Sequence, residues 1–292
     1  VDIDQITPEN AHQLTPRWLF QRGVIDGVSN QTTPVIVDGI MYVTDSRGSV
    51  YAVDAYDGHH LWTYDVTELL GGGRREGYVF RHRGVTYENG VVYSAAGSFM
   101  FALDAKTGEP IETFGDGGQA SVILDVLRLD YPEVETAISM GYWFTAAPQI
   151  HDGVLYVPSN GITALRPRSD GRTPDEVWQS GQLQPATASP IVLGKHVFTV
   201  NKAGVLTAGN LETGKREWQL RLKGPFSSTP VAAGKHLFIF SETGLMQVVD
   251  TTAKEGEVVG KLDLDDQILA TPAVANGAIY IRSNTKIYKV AR

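Results

Sequence analysis

Short apolar runs alternate along the whole chain with turns rich in glycine, aspartate and asparagine. The clearest unit consists of an apolar run over 34–37, the pair Asp38-Gly39 and a second apolar run over 40–43. An Asp-Gly or Asn-Gly pair supplies the positive φ that a tight hairpin needs. The pattern therefore predicts short antiparallel strands joined by turns, with no long helices.

The hairpin unit recurs along the chain. Five copies begin with Ser, Thr or Ala followed by proline, and a sixth lacks the proline but keeps Asn89-Gly90. A period of ~40–45 residues with four short strands is typical of β-propellers. We predict an all-β, six-bladed β-propeller of four-stranded antiparallel blades, as one domain over 1–292. The predicted repeat units start near 33, 84, 147, 189, 229 and 271.

The third and fourth strands of the unit repeat as well. Ala52 precedes Trp62 by the same spacing that separates Ala208 from Trp218. The tryptophans expected to pack between blades are Trp18, Trp62, Trp178 and Trp218.

The two chain ends complement each other in this pattern. The last unit stops after a third strand at 287–290, whereas 16–20 reads as a fourth strand without the other three. Pairing them removes an exposed sheet edge, so we expect the N-terminal strand to close the last blade. An all-β sandwich is the structural alternative.

Two insertions, 67–82 and 119–144, interrupt the early units, and the second has the apolar spacing of a short amphipathic helix.

Composition narrows the range of partners. The chain has 25 Lys plus Arg against 33 Asp plus Glu, a net charge of −8, which argues against nucleic acid. No apolar run reaches the ~18–20 residues of a membrane span. Cysteine is absent, which excludes disulfides and thiolate chemistry. The start at Val1 without an apolar leader reads as a mature or excerpted form, and we expect a periplasmic or secreted monomer.

The unit over 38–62, with Asp38-Gly39, the run 50–54, Asp57-Gly58 and Trp62, resembles the pyrroloquinoline quinone (PQQ) repeat. This resemblance implies the propeller fold, which is shared by quinoprotein alcohol dehydrogenases and by BamB-like assembly lipoproteins. Residues 1–157 are similar to the start of the dehydrogenases, and 158–292 resemble BamB-like repeats. A recombined or engineered chimera with a junction near 157–158 is our hypothesis.

The resemblance implies three cofactor-binding candidates. Arg83 lies in the Arg-Gly pair that these enzymes place against the quinone, where a guanidinium suits its carboxylates. Gln31 and Thr145 each lie three residues before the proline of an inner strand, where such enzymes also contact the cofactor. The alternative for Arg83 is a solvated loop, and for Gln31 and Thr145 it is polar lining of inner strands.

Departures from the dehydrogenase pattern weigh against catalysis. The adjacent cysteine pair that those enzymes often carry shortly before the Arg-Gly is absent. The calcium-ligating Glu expected after the third-unit strand is missing from 156–161, and no segment matches the catalytic Asp. Those enzymes also have eight blades. We predict no catalytic residue, no metal site and no cofactor, and a binding or scaffold module with a protein or small-molecule ligand at the loop face or central channel.

Two other functions remain open. The first is a quinoprotein-like oxidoreductase that binds PQQ and calcium through Arg83, Gln31 and Thr145. The second is a glycan- or peptide-binding propeller that uses Tyr142, Trp143 and Phe144, whose aromatic rings suit stacking on sugars.

Overall fold

The computed structural model of the protein describes residues 18–21, 32–45, 47–67, 84–133, 149–159, 161–168, 174–275, 278–283 and 287–290. Within these ranges the chain forms six antiparallel sheets and one short helix. Strands that are neighbours in a sheet are consecutive in the chain, so each sheet is a meander. This architecture confirms the predicted six-bladed β-propeller.

Each of the first three sheets has four strands. They are β1 (Val35–Val37), β2 (Ile40–Thr44), β3 (Val50–Asp54), β4 (His60–Tyr64), β5 (Thr86–Glu88), β6 (Val91–Ala96), β7 (Phe99–Asp104), β8 (Gln119–Ala120), β9 (Gln149–His151), β10 (Val154–Ser159), β11 (Gly161–Arg166) and β12 (Asp175–Ser180).

The fourth and fifth sheets have four strands and the sixth has three. They are β13 (Ile191–Leu193), β14 (His196–Val200), β15 (Val205–Asn210), β16 (Arg216–Arg221), β17 (Val231–Ala233), β18 (His236–Phe240), β19 (Leu245–Asp250), β20 (Glu257–Asp263), β21 (Ala273–Ala275), β22 (Ala278–Arg282) and β23 (Ile287–Val290).

The first hairpin of each of the first three sheets turns at the predicted residues. Asp38, Asn89 and Asp152 have φ of 49°, 49° and 50°, and a glycine with positive φ follows each of them. A tight hairpin of this kind needs two successive residues in the left-handed region, which Asp-Gly and Asn-Gly tolerate. The described chain divides into two compact units, one within 17–159 and 163–177 and the other within 160–162 and 178–292.

Tryptophan side chains join consecutive sheets by one recurring contact. The indole of Trp62 lies on Gly108, the glycine of the turn that follows the third strand of the next sheet. Trp178 lies on Gly214 in the same way, and Trp218 lies on Gly256. The indole N–H of Trp62 also donates to the carbonyl of Ala105 at 3.2 Å. The predicted packing of these tryptophans between blades is confirmed.

Apolar layers between neighbouring sheets hold the fold together. Between the first two sheets, Tyr42 and Trp62 pack with Phe101 and Leu103, and all four are buried. Burying one such side chain contributes about 1.5–3 kcal/mol. An equivalent layer joins the fourth and fifth sheets around Phe198 and Leu237.

The last sheet has three strands within the described residues. Trp18 belongs to no strand, and its indole lies on Gly58 of the first sheet. The ring of Phe20 stacks on His60 with centroids 5.9 Å apart. Residues 18–20 lie in no strand, and residues 1–17 lie outside the described ranges, so closure of the last blade by 16–20 stays a prediction.

The short helix predicted in the second insertion is α1 (Val122–Asp130). Its buried residues Val122, Ile123 and Leu127 pack against Leu155 and so cover the layer between the second and third sheets. The insertion begins inside a sheet, because β8 pairs with β7. The first insertion lies almost wholly outside the described residues, among which no helix is long and apolar enough to cross a membrane.

Candidate functional site

The residue before each inner-strand proline links neighbouring sheets in the second half of the chain. The backbone N–H of Ser189 donates to the hydroxyl of Thr229 at 3.1 Å. The N–H of Thr229 donates in turn to the hydroxyl of Thr271, also at 3.1 Å. A hydroxyl therefore bridges the inner edges of consecutive sheets. It also accepts a backbone N–H that would otherwise have no hydrogen-bond acceptor.

The first two sheets meet differently at the same repeat position. Gly84 replaces the hydroxyl residue there, and it forms a parallel β-bridge directly with Thr33. Gly84 has φ of +113°, and a β-carbon at this glycine would lie 2.7 Å from the carbonyl oxygen of Thr33. Only glycine permits both this conformation and this backbone approach. We call Thr32, Thr33 and Gly84 the inner corner.

The inner corner bears directly on two of the predicted site residues. Arg83 immediately precedes Gly84, and Gln31 immediately precedes Thr32. The structure therefore brings together the residues that directly follow Gln31 and Arg83 in the chain. Gln31, Arg83 and Thr145 themselves lie outside the described residues.

Thr145 and the aromatic residues of the second insertion come shortly before β9 in the chain. Strand β9 lies beside β5, the strand that follows Gly84. Tyr142, Trp143 and Phe144 lie outside the described residues as well. Their proposed binding roles stay predictions.

Hydroxyl groups line the described part of the corner. The hydroxyl of Thr44 donates to that of Thr32 at 2.9 Å, and Thr44 is fully buried. The next residue, Asp45, is also buried. Its Oδ1 accepts the backbone N–H groups of Arg47, Gly48 and Ser49 at 2.8–3.0 Å. The carboxylate of Asp45 thus organises the turn between β2 and β3 beside the corner.

Shifted carboxylate pKa values have local causes. The hydroxyl of Thr67 holds the pKa of Asp65 below its usual value. The backbone N–H of Thr107 does the same for Asp104, and the side chain of Lys235 does so for Asp250. Hydrogen bonds to the charged form lower a carboxyl pKa. These three groups act as turn and ion-pair acceptors.

Burial raises the pKa of Tyr42 to about 12, and the nearby Tyr87 and Asp104 add to the shift. The hydroxyl of Tyr42 donates to the carbonyl of Ala105 at 2.9 Å. It therefore ties the first sheet to the second, and the indole N–H of Trp62 donates to the same carbonyl.

The histidines of the repeat make contacts within their own sheets. The ring of His196 lies 2.7 Å from Oε2 of Glu217, and His236 lies 3.9 Å from Asp250. Within the described residues, no group of three or more His, Asp or Glu side chains is arranged to hold a metal ion.

Sequence reasoning missed the role of the residue before the inner proline. Thr229, Thr271 and Gly84 occupy equivalent repeat positions, but their alignment does not show which neighbouring atom each one meets. The signal that could have found them is the recurring Ser/Thr-Pro pair. Gly84 departs from this pair in the second unit, and that departure was the sequence signal for the inner corner.

Two family profiles match the chain in succession. The profile described as "Glucose/ethanol/alcohol dehydrogenase, beta-propeller domain" matches residues 1–170. The profile described as "Outer membrane protein assembly factor BamB" matches residues 159–259. The change of profile falls next to the predicted junction at 157–158, and the resemblance to both families is confirmed. Recombination itself stays a hypothesis.

Curated relatives of this chain include dehydrogenases. The 1-butanol dehydrogenase (cytochrome c) of Thauera butanivorans is 30% identical over 179 residues, which cover 58% of this chain and 23% of the relative. A dehydrogenase subunit of an alcohol dehydrogenase (quinone) from Gluconobacter oxydans is 38% identical over 162 residues, or 54% and 19% of the two chains. The chain thus spans less than a third of the length of these relatives.

Solved structures share the fold at low sequence identity. BamB from Moraxella catarrhalis superposes with a TM-score of 0.59 at 16% identity, covering 94% of this chain and 71% of BamB. The quinohemoprotein alcohol dehydrogenase ADHIIG from Pseudomonas putida HK5 gives a TM-score of 0.52 at 19% identity, covering 81% and 42%. At these identities the likeness shows the propeller fold alone.

Proposed function

Because this chain belongs to the PQQ β-propeller family, that of the glucose, ethanol and alcohol dehydrogenase propeller domain, we propose that it is a non-catalytic binding module. Its ligand site is the inner corner, where the Gly84–Thr33 bridge brings together the segments that carry Arg83 and Gln31. Arg83 precedes Gly84 in the chain, and its guanidinium suits an anionic small molecule with carboxylate groups.

The link between β10 and β11 carries the non-catalytic part of the proposal. β10 ends at Ser159 and β11 begins at Gly161, so one residue separates the two strands. A β-carbon at Gly161 would lie 2.1 Å from the carbonyl oxygen of Ser180. The resemblance places the calcium-ligating Glu of the dehydrogenases after this strand, whereas the one residue between the two strands of this chain is Asn160. A neutral amide in place of that carboxylate supports a binding site without the calcium of the dehydrogenases.

A PQQ titration tests the binding site. The quinone is added to the purified chain, with and without calcium, while tryptophan fluorescence is followed. We expect saturable binding without a calcium requirement, at least tenfold weaker in Arg83→Ala because a bidentate charge-assisted contact is lost. Arg166→Ala, at the exposed end of β11, is the matched control. Absence of binding by the unmodified chain, or equal binding by both variants, contradicts the proposed site.

A PQQ-dependent oxidoreductase is the second candidate, and the dehydrogenase profile over residues 1–170 favours it. Arg83, Gln31 and Thr145 would hold PQQ, which when bound supplies a two-electron acceptor for alcohol oxidation. Dye reduction with primary alcohols, after incubation with PQQ and calcium, tests it. Turnover that disappears in Arg83→Ala would establish this function and overturn the non-catalytic one.

We also propose that the protein is periplasmic or secreted, that it is a monomer, and that its two halves were recombined. The matched profile of an outer membrane protein assembly factor supports the location and a protein partner. Cell fractionation and light scattering after size exclusion test the location and the monomer. A natural homologue with equal similarity on both sides of 157–158 would contradict recombination.

A further inference from the structure

The outer strand of the fourth sheet, β16, is an exposed edge with an unusual charge. β16 is terminal in the strand order β13-β14-β15-β16, so one side of its backbone has no neighbouring strand in that sheet. Such an edge is a template for pairing with another extended chain. Lys215, Arg216, Arg221 and Lys223 lie in this strand or directly beside it, and all four are exposed.

The one acidic residue of β16, Glu217, is hydrogen-bonded within its own sheet. Oε2 of Glu217 lies 2.7 Å from the ring of His196, and its Oε1 accepts the side-chain amide of Asn210 at 2.9 Å. Both carboxylate oxygens of Glu217 thus contact groups of other strands of the same sheet. The edge carries four exposed cationic side chains against this one carboxylate, so its net charge is basic.

The arginine side chains are fixed along the edge. Arg216 donates to the side-chain oxygen of Gln219, and the side-chain amide nitrogen of Gln219 donates to the hydroxyl of Thr207. Arg221 donates to the carbonyl of Ala203. These contacts hold the two guanidinium groups along β16, and each guanidinium has five N–H donors in total.

The backbone of β16 offers donors to a partner strand. The N–H of Leu222 donates to the carbonyl of Gly204 at 2.9 Å, and Leu220 pairs with Leu206. Because ladder bonds alternate along an antiparallel pair, the N–H groups of Gln219 and Arg221 are directed towards the open edge.

The outer strands β4, β12 and β20 lack this combination. The exposed residues of β12 include Asp175 and Glu176, and those of β20 include Glu257 and Asp263 beside Lys261. In β4, the exposed residues His60, Leu61 and Thr63 carry no acidic or strongly basic group. Edge charges of one sign prevent pairing between copies of the same edge, but they attract a strand of opposite charge.

We propose that β16 is a docking edge for an extended acidic segment of a partner protein, which adds a strand to the fourth sheet. Backbone hydrogen bonds to β16 provide affinity, and acidic side chains at alternate positions meet Arg216 and Arg221. This surface goes beyond the proposed small-molecule site, because it takes a protein segment and lies in a different sheet from the inner corner. Failure of the PQQ titration therefore leaves this inference untouched, and the reverse also holds.

Synthetic peptides test the edge directly. A fluorescein-labelled peptide of alternating Glu and Val is titrated into the intact chain, and its anisotropy is followed. A Lys-Val peptide of the same length is the charge control, and a Glu-Val peptide with N-methylated backbone amides is the pairing control. We expect the acidic peptide to bind and both control peptides to bind at least tenfold more weakly.

Protein variants locate the binding. The double variant Arg216→Glu with Arg221→Glu should weaken acidic-peptide binding at least tenfold. Lys261→Glu on β20 changes an exposed charge on the next outer strand and should leave the affinity unchanged. Thermal melts confirm that each variant is folded.

Four outcomes would overturn the proposal. They are no binding of the acidic peptide, equal binding of the Lys-Val peptide, unchanged affinity after backbone methylation, and unchanged affinity in the folded double variant. Equal competition by anionic lipid vesicles would also overturn it, because it would assign the edge to general polyanion binding.

Discussion

The indole of Trp62 lies so close to Gly108 that a β-carbon on the glycine would be 2.5 Å from the ring atoms Cδ2 and Cε3. Each partner of this contact belongs to a different sheet, and the same pairing recurs at Trp178 with Gly214 and Trp218 with Gly256. The glycine is required for space as well as for its positive φ. One contact of this kind therefore sets the distance between two blades.

The space requirement of Gly108 is measurable with a matched variant. Gly90 has φ of +82° against +76° at Gly108, but it has open space where a β-carbon would be placed. Gly90→Ala should cost about 1 kcal/mol from left-handed backbone strain. Gly108→Ala should cost about 1–3 kcal/mol more, because the methyl group overpacks against Trp62. Urea denaturation measures both, and equal losses would contradict the clash.

Tyr42→Phe tests the hydroxyl contact between the first two sheets. Loss of the bond to the carbonyl of Ala105 should lower the free energy of unfolding by about 1 kcal/mol, since Trp62 still donates to that carbonyl. The folded pKa of Tyr42 is about 12, above its unfolded value of 10.0. The stability difference between the two proteins is therefore complete below pH 10 and disappears as pH rises towards 12. Melting curves from pH 8 to 12 measure it, and a gap that widens with pH would refute this assignment.

Thr229→Val tests the hydroxyl bridge of the second half. Valine has a similar volume but leaves the N–H of Ser189 without its acceptor. We expect a loss of about 1–3 kcal/mol from the unsatisfied N–H. Thr229→Ser keeps the hydroxyl and should recover most of that loss. If Ser and Val reduce the denaturation midpoint equally, the hydroxyl is not the source of the stability.

Gly84→Ala tests the inner corner. The added methyl group would meet the carbonyl of Thr33, so the two inner strands must separate. We expect PQQ binding to weaken at least tenfold, because a displacement of the Arg83 segment disrupts bidentate contacts. Gly39 also has a positive φ, of +80°, but the space around it is open. Gly39→Ala is therefore the control, and it should lower stability without lowering the affinity for PQQ. Unchanged affinity in Gly84→Ala would show that the corner does not position the ligand.

Trp18→Ala and Leu19→Ala test the N-terminal segment as a pair. Trp18 lies on Gly58, whereas Leu19 is 85% exposed. Removing the indole should cost about 2 kcal/mol, below the range for fully buried tryptophans because Trp18 is only half-buried. Leu19→Ala should change stability by no more than about 0.5 kcal/mol. Calorimetry of the two variants provides the comparison, and similar values would show that the segment does not anchor to the first sheet.

Part of the candidate site could be predicted from the sequence. The repeat and its family resemblance pointed to the segments of Arg83 and Gln31, and the structure brings the neighbours of these residues into contact at Thr33 and Gly84. Arg83, Gln31 and Thr145 lie outside the described residues, so their roles stay predictions. The bridge from Thr229 to Ser189 was not predicted, because a hydroxyl at a strand start has many accessible partners.

The sequence by itself determined the six units, the hairpins at Asp38 and Asn89, and the amphipathic helix Val122–Asp130. These features depend on local rules, namely the φ that a turn requires and the spacing of apolar residues. Only the tertiary structure decided which atoms meet between sheets. Gly84 on Thr33 and Trp62 on Gly108 join residues that are distant in the chain, and their approach depends on how whole sheets stack. A glycine in the repeat indicates a turn. Only the neighbouring sheet determines which group, such as an indole or a backbone carbonyl, occupies the space left by the absent side chain.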